Sequence, residues 1–349
     1  MDNEGHKRRA HYSGRYPKNF HEKYKELQPE LYGETVEHVR AKGNTPAGTH
    51  IPIMVQEILD ILQIKPGEKG FDGTLGYGGH TRAMLDALQG EGHLYSGDVD
   101  EIEFPKTVTR LRAAGYGEAI WTPRLMNFAD IDELAAEVGP FDFVLADLGV
   151  SSMQIDNPER GFTYKAEGPL DLRLNPNAGV PASQRLWELS TEELAGLLEE
   201  NSDEPYAEEL AQQIMQDLHR GIPITTTTQL YAEIEKTIAK LRLSKEEKRE
   251  VLKKTGARVF QALRIDVNSE FEVLYAFMEK LPHVLSPGAR VAVLTFHSGE
   301  DRIVKKAFQA FQREGVYKDV AREVIRPGKE ECYRNSRAHS TKLRWALKA

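Results

Sequence analysis

Four glycines fall within seven positions of the stretch Phe71-Asp72-Gly73-Thr74-Leu75-Gly76-Tyr77-Gly78-Gly79-His80. Closely spaced glycines let a backbone turn tightly and approach a ligand with no Cβ in the way. Two aspartates each close a β-prone run farther on. Asp98 ends Gly92-His93-Leu94-Tyr95-Ser96-Gly97, and Asp147 ends Phe141-Asp142-Phe143-Val144-Leu145-Ala146. His297 follows Ala289-Arg290-Val291-Ala292-Val293-Leu294-Thr295-Phe296 in the same manner. Carboxylates accept hydrogen bonds from hydroxyl and amino groups, and a histidine can handle a proton near neutral pH. Together these groups suit a reaction on a nucleotide-like ligand.

Such residues need a scaffold that brings strand ends together. Lys69 to Phe71 reads as a strand, and Thr81 to Leu88 reads as a helix. Strand, glycine turn and helix is the layout by which open α/β sheets hold a nucleotide-like ligand. Apolar positions at helical spacing (Val55, Ile58, Leu59, Leu62) predict a helix over 52–64, which Pro66-Gly67 ends. Gly92 to Asp98 predicts a second strand, 119–128 a weak third one with Phe128 at its end, and Phe141 to Val150 a buried fourth. The small-residue turn Gly149-Val150-Ser151-Ser152 then faces the ligand crevice. Phe260 to Glu279 has a helical pattern, Pro287-Gly288 predicts a turn, and Ala289 to Phe296 predicts a fifth strand, with a helix opening after His297.

Three ligand classes compete for the glycine loop. A phosphate-binding loop of nucleotide triphosphatases ends in Gly-Lys-Ser/Thr, whereas this one ends Gly78-Gly79-His80-Thr81. A dinucleotide loop carries a third glycine where this chain has Thr81. S-adenosylmethionine needs a glycine turn, an acid ending strand two and polar groups ending strand four, and the chain offers all three. An aspartate like Asp98 standing alone caps a turn; about 20 residues past the loop it is placed to accept ribose hydroxyls.

The 349 residues allow roughly two domains, or one α/β domain with a large insertion. No stretch approaches the roughly 18 apolar residues of a membrane span, and the first 25 residues lack a secretory apolar core, so a cytoplasmic protein without a membrane partner is expected. The single cysteine, Cys332, excludes an internal disulfide and a multi-cysteine zinc site, and no metal is expected. The net charge of −8 argues weakly against nucleic acid, but the charges are segregated. Residues 1–25 carry seven Lys or Arg against three acids, interleaved with Tyr12, Tyr16, Phe20 and Tyr24. That composition fits a segment that contacts phosphates and stacks on bases, or equally a solvated tail. After residue 157 come loop-forming stretches, then helices with almost no strand signal over 184–254. Residues 186–217 hold ten acids and no Lys or Arg, whereas 236–264 hold ten Lys or Arg and three acids. The tail from Arg326 carries seven Lys or Arg against two acids. The pattern divides the chain into a basic extension (1–47), a discontinuous sheet domain (48–157 and 259–349) and a helical insertion (158–258).

The chain resembles the bacterial family of 16S ribosomal RNA cytosine-N4 methyltransferases, the RsmH or MraW family, from about His50 to Arg344. The resemblance rests on ordered strings: His50-Ile51-Pro52-Ile53, Asp72 to His80, Asp147-Leu148-Gly149-Val150-Ser151-Ser152, Glu159-Arg160-Gly161-Phe162, Gly168-Pro169-Leu170-Asp171-Leu172-Arg173, Phe260-Gln261-Ala262-Leu263-Arg264-Ile265, Phe296-His297-Ser298, Glu300-Asp301-Arg302 and Lys342-Leu343-Arg344. It implies an α/β fold, a class I S-adenosylmethionine-dependent (Rossmann-like) methyltransferase sheet with a helical substrate-recognition insertion. It implies cofactor contacts at Gly78, Gly79, His80, Asp98, Phe128, Asp147 and Gln154, and methylation of a cytosine N4 in the decoding region. The implied partners are 16S ribosomal RNA and the 30S subunit, with a homodimer as a further expectation. The chain departs from the family at Tyr77, at Val99 and Glu101 within Asp98-Val99-Asp100-Glu101, at Gly299, and in its long N-terminus. These departures fit a divergent second copy and leave open which cytosine it modifies.

A cytosine amino group is a poor nucleophile because its lone pair is delocalised into the ring. It needs alignment with the methyl donor and an acceptor for its proton. Asp147-Leu148-Gly149-Val150 stands where many amino methyltransferases carry Asn/Asp-Pro-Pro-aromatic, so Asp147 is expected beside the transferring methyl. His297 is the second catalytic candidate, and Phe296 and Tyr164 are candidates for handling the base. Arg160, Arg173, Lys253, Lys254, Arg258 and Arg264 are the expected contacts to RNA phosphates, each weighed against a surface salt bridge. Rival readings are methylation of another cytosine, another RNA, DNA or a small molecule, and a non-catalytic ribosome assembly factor that binds the cofactor and RNA. The two basic termini and the basic helix disfavour a small molecule.

Overall fold

The computed structural model describes residues 52–349, so the expected basic extension over 1–47 lies outside the described residues. A continuous apolar run makes the centre of the sheet. In β4 (Phe141–Asp147) the side chains of Phe141, Phe143, Val144, Leu145 and Ala146 are wholly buried. Such a run suits a parallel strand covered by helices on both faces. β1 (Lys69–Asp72) lies beside it, followed outward by β2 (His93–Asp98) and β3 (Trp121–Leu125), all parallel. On the other side come β5 (Leu285–Thr295), parallel to β4, and then an antiparallel pair, β7 (Lys342–Lys348) and β6 (Tyr317–Val320). The sheet order is β3-β2-β1-β4-β5-β7-β6. It reverses direction between β1 and β4, and ligands of open α/β sheets bind outside the strand carboxyl ends at such a switch point.

Helices cover both faces. α1 (Val55–Leu62), α2 (Gly79–Ala87), α3 (Phe104–Ala113) and α4 (Ile131–Val138) alternate with the first strands. The short α5 (Ser152–Asp156) follows β4, and α11 (Glu270–Lys280), α12 (Ser298–Arg313) and α13 (Lys329–Arg334) belong to the last third. Between β4 and β5 stand α6 (Ala182–Glu188), α7 (Thr191–Ser202), α8 (Ala207–His219), α9 (Thr227–Lys240) and α10 (Lys245–Asn268). These helices bury an apolar core of their own, including Leu194, Leu198, Leu210, Ile214, Leu230, Ile234, Val259 and Leu263. Capping boxes start three of them, with Ser190 and Glu193, Thr226 and Gln229, and Ser244 and Glu247 exchanging hydrogen bonds. The stretch 260–279, read as one helical pattern, is two helices. Ser269, with φ 49°, turns the chain between α10 and α11. α10 runs 24 residues and passes through residue 258, where the sequence suggested the insertion ends.

Pro287-Gly288 is not a turn before β5 but a bulge inside it. Leu285 pairs with Phe141 and Arg290 with Phe143, so the strand carries extra residues there, with Gly288 at φ 77°. β6 and β7 carried no strand signal because charges interrupt them. In β7, Arg344 is only 5% exposed, its charge met by Asp301 at 2.6 Å. Part of the basic tail thus serves the fold: Lys342 also approaches Asp301, and Arg337 pairs with Asp156 at 2.6 Å.

The loops after α5 depend on a close backbone approach. Gly161 adopts φ 76°, and a Cβ there would lie 2.3 Å from the Pro169 carbonyl oxygen. Gly161→Ala should therefore destabilise the protein by about 2 kcal/mol or more, combining left-handed strain with a backbone clash. A thermal melt within a degree of the unsubstituted protein would contradict this.

Candidate active site

The ends of β1 and β4 are tied before any ligand is considered. Asp72 is fully buried and accepts hydrogen bonds from the Thr74 amide at 3.1 Å and the Thr81 hydroxyl at 2.5 Å. Burial raises its pKa, opposed by those two hydrogen bonds. Thr74 in turn accepts the Asp147 amide at 2.8 Å, and the Gly73 amide donates to the Leu145 carbonyl at 2.8 Å. The glycine loop then turns through Gly76 (φ 48°) and Gly78 (φ 78°) into α2. A Cβ on Gly78 would press on Leu111, and one on Gly79 on the Pro52 ring.

Asp98 holds this loop. Its carboxylate accepts the Gly76 amide at 2.6 Å and the Asp100 amide at 2.9 Å. Burial pushes its pKa up to about 6, with the two amides pulling the other way. Each oxygen keeps a lone pair for a ribose hydroxyl. Phe128 stands edge-on to Phe277, and a Cβ on Gly73 would lie 2.9 Å from its Cβ, so Phe128 borders the same crevice.

His80 is 7% exposed and uses both ring nitrogens. Nε2 faces the Ile53 carbonyl oxygen at 2.9 Å, and Nδ1 lies 3.3 Å from Asp147 Oδ2. Both partners are acceptors, so both nitrogens carry protons and the ring is an imidazolium. Burial pulls its pKa down, but the Asp147 and Ile53 contacts outweigh this and the net shift is upward. Asp147 is thereby oriented by one oxygen, while buried Oδ1 has no hydrogen-bond partner among the described residues. That orphaned acceptor and the glycine cradle fit a ligand carrying ammonium or amino groups.

Tyr77 has a physical place here. Its ring lies under the Arg110 guanidinium at 5.4 Å. Burial, then the charges of Glu103 and Asp100, drive its phenol far above the ordinary value. Asp100, to which the sequence reading gave no role, is a hub. It is 2% exposed and takes Arg160 Nη1 at 2.7 Å, Gln154 Nε2 at 2.8 Å and the amides of Ile102 and Glu103. The signal available was Asp98-x-Asp100 at the strand end.

The expected cofactor contact Gln154 thus has its side chain engaged, capping α5 with Ser151 while reaching Asp100. Arg160 is 7% exposed and also donates to the Leu174 carbonyl, so it is not open to a phosphate. Arg173 grips Asp171 through two nitrogens, and Arg264 grips Glu270 through Nε at 2.7 Å and Nη2 at 2.9 Å. Lys253 and Lys254 are exposed on α10, and Arg258 is half-exposed, 3.9 Å from Glu204. Tyr164 stacks on Tyr231, with ring centroids 4.7 Å apart. Phe296 and His297 follow β5; the Phe296 amide donates to Glu300, and His297 lies 3.1 Å from Glu300 Oε1. Glu300 entered the sequence reading only as part of Glu300-Asp301-Arg302, and Glu270 drew no attention there.

The His80 geometry makes a pH prediction. A raised folded pKa contributes stability that is full below about pH 6.5 and fades as pH rises through the higher folded value. The stability advantage of the protein over His80→Gln should shrink across that window; an advantage constant from acid to alkaline pH would refute the imidazolium.

Residues 47–349 match the MraW methylase family. Across 344 residues, 99% of this chain and 98% of the relative, the sequence is 63% identical to the ribosomal RNA small subunit methyltransferase H 1 of Agathobacter rectalis. It is 57% identical over all of both chains to the ribosomal RNA small subunit methyltransferase H 2 of Alkaliphilus metalliredigens. The unnumbered methyltransferase H of Acidobacterium capsulatum is 34% identical and covers 86% of this chain with 98% of its own length. The numbered relatives therefore share the N-terminal extension that the family match leaves out. The seven-stranded sheet is the Rossmann-like class I methyltransferase fold that the resemblance implied. By its sequence from residue 47 onward and by the likeness of these full-length relatives, the chain belongs to the MraW methylase family.

Proposed function

We propose that the chain methylates the exocyclic N4 of a cytosine in the RNA of the small ribosomal subunit, in the cytoplasm, with S-adenosylmethionine as donor. The observation that carries the chemistry is Asp147. Its backbone is fixed by Thr74, one oxygen is held by the His80 ring, and its other oxygen is buried with no hydrogen-bond partner among the described residues. S-adenosylmethionine, when bound, supplies a methyl group on a sulfonium that an amine can take directly. Gly78, Gly79, His80, Asp98, Phe128 and Asp147 would hold it, Asp98 accepting its ribose hydroxyls, with Gln154 supporting the site through Asp100. Asp147 Oδ1 accepts an N4–H of the cytosine, aligns the amine and receives its proton as the new bond forms. The relatives' names supply the substrate class, and the exposed lysines of α10 supply a surface for its phosphates.

The helical insertion, residues 158–258, serves as the RNA-recognition part in this reading. A second reading keeps the chemistry and changes the cytosine. It is favoured by Tyr77, which fills a place where the loop needed no bulk, and by likeness to numbered copies.

Tritium transfer from labelled S-adenosylmethionine to 30S subunits, against free nucleosides, tests the proposal. Mass mapping of the product RNA then identifies the base. Incorporation into no ribosomal particle would refute it. Asp147→Asn should lower kcat by about 10²–10⁴-fold. Asp98→Ala should weaken cofactor binding about 10- to 100-fold, the worth of a charge-assisted hydrogen bond. Lys253→Ala with Lys254→Ala should lower the slope of log affinity against log salt by about 1.4, for two lost phosphate contacts; an unchanged slope would place the RNA elsewhere.

A further inference from the structure

A glycine inside a helix costs about 1 kcal/mol against alanine, and α10 carries Gly256 near its middle. Its neighbours show what the missing side chain makes room for. A Cβ there would lie 2.8 Å from the Tyr231 ring and 3.5 Å from the Tyr164 ring. Those two rings are stacked, 3° from parallel with centroids 4.7 Å apart. Tyr231 belongs to α9, and Tyr164 to the loop before Leu170. Thr227, at the start of α9, holds that loop by donating its hydroxyl to the Ala166 carbonyl oxygen at 3.0 Å. Phe260, one turn beyond Gly256, supports the Tyr164 ring at 5.2 Å and 57°.

Packing on the insertion core accounts for one side of this pair only. Both rings are half-buried, and neither hydroxyl has a hydrogen-bond partner among the described residues, whereas a core tyrosine usually finds one. Three lysines flank the rings. Lys165 follows Tyr164, and Lys253 and Lys254 stand just before Gly256 on α10. All three are exposed, and none forms an ion pair with a described residue. Glu167, the acid of the Tyr164 loop, is engaged by the Thr228 hydroxyl at 3.1 Å. Uncompensated lysines beside a flat aromatic pair are the two parts of a single-strand site: the charges track phosphates and the rings stack on bases. Lys253, Gly256, Phe260 and Arg264 recur at helical spacing and share one face of α10. Gly256 and Arg264 are separated by about 12 Å along the helix. Arg264 Nη2 in turn lies 3.9 Å from where a Cβ on Gly149 would be, in the loop after Asp147. The stacked rings thus stand between the lysines and the catalytic loop.

We infer that Tyr164 and Tyr231 form a stacking platform for an unpaired base that neighbours the target cytosine in the RNA, with Lys253 on that nucleotide's phosphate. This rests on the proposed methylation of small-subunit RNA. It changes the part expected of Tyr164, from handling the target base to holding a flanking one. Stacking accepts any base because each has a flat face, so the platform grips the strand without reading its letters. A neighbour held on protein rings no longer stacks on the cytosine, which lowers the cost of turning the cytosine into the crevice. Gly256 is a positioning residue: without a Cβ it lets both rings lie against α10.

The test uses the full chain and a short unstructured RNA whose uridines are replaced by 5-iodouridine, which cross-links under light to the aromatic ring it stacks on. Peptide mass mapping should find the cross-link on Tyr164 or Tyr231. Tyr164→Leu and Tyr231→Leu should each weaken binding of this RNA by about 10- to 100-fold. The slope of log affinity against log salt should stay unchanged, because no phosphate contact is lost. Tyr164→Phe and Tyr231→Phe should keep affinity within about 3-fold, since the stacking face is retained. A purely structural role would lower the melting temperature of the leucine variants and leave the affinity of the folded protein as it was. Cross-links that avoid both tyrosines overturn the inference, whether or not the leucine variants fold. So does unchanged affinity in leucine variants that remain folded. Tritium transfer to 30S subunits by the unsubstituted enzyme separates the two readings: transfer without the cross-link sinks the platform alone, and no transfer sinks the methylation reading.

Discussion

A buried positive charge has to be matched, and at the mouth of this sheet it is matched in a way that fixes everything around it. The His80 imidazolium has the Ile53 carbonyl on one side and Asp147 on the other. An isolated charge at that depth would be costly to desolvate, so the three groups stay together. The contact joins the segment before α1 to the end of β4 and the start of α2. With Asp72 and Thr74 knitting β1 to β4, the crevice is set by internal bonds rather than by the ligand it will take. Preorganisation of this kind leaves little reorganisation for the reaction itself.

A second set of bonds carries the same order outward. Asp100 follows Asp98 by two residues and grips Arg160 and Gln154, while Glu101 accepts hydrogen bonds from Asn175 and Asn177. The loops that open the insertion are thus stapled to the turn that follows β2. A change in the loops can shift the cofactor side of the site without touching any cofactor residue, since both lean on the same four-residue turn. Val99 and Glu101, where the family has other residues, sit in that turn.

In the sheet's parallel half, β4 and β5 were legible as apolar runs written by burial on both faces, and β1, β2 and β4 each close on an aspartate, whereas β3, with its outer residues exposed, gave only a weak signal. β7 was not legible, because Arg344 sits buried on the strength of Asp301, a partner more than forty residues away in sequence. The crevice residues were legible for the same reason as the strands, being fixed by place in a repeating layout. Arg160, Arg173 and Arg264 looked like phosphate contacts because a sequence shows charges and not their partners. Only the folded chain shows Asp100, Asp171 and Glu270 beside them. Asp147 was expected near the reaction, but the imidazolium that aims it depends on Ile53 and could not be read from spacing.

α10 spans 24 residues without a break and carries Lys253 and Lys254 near its middle and Arg264 near its end. Eleven residues of helix are about 16 Å of stiff rod. If the lysines hold phosphates as proposed, the helix sets a fixed distance between those phosphates and the Glu270-paired Arg264 beside the loop after Asp147, so that a correctly folded RNA would be chosen by its dimensions as well as by its letters.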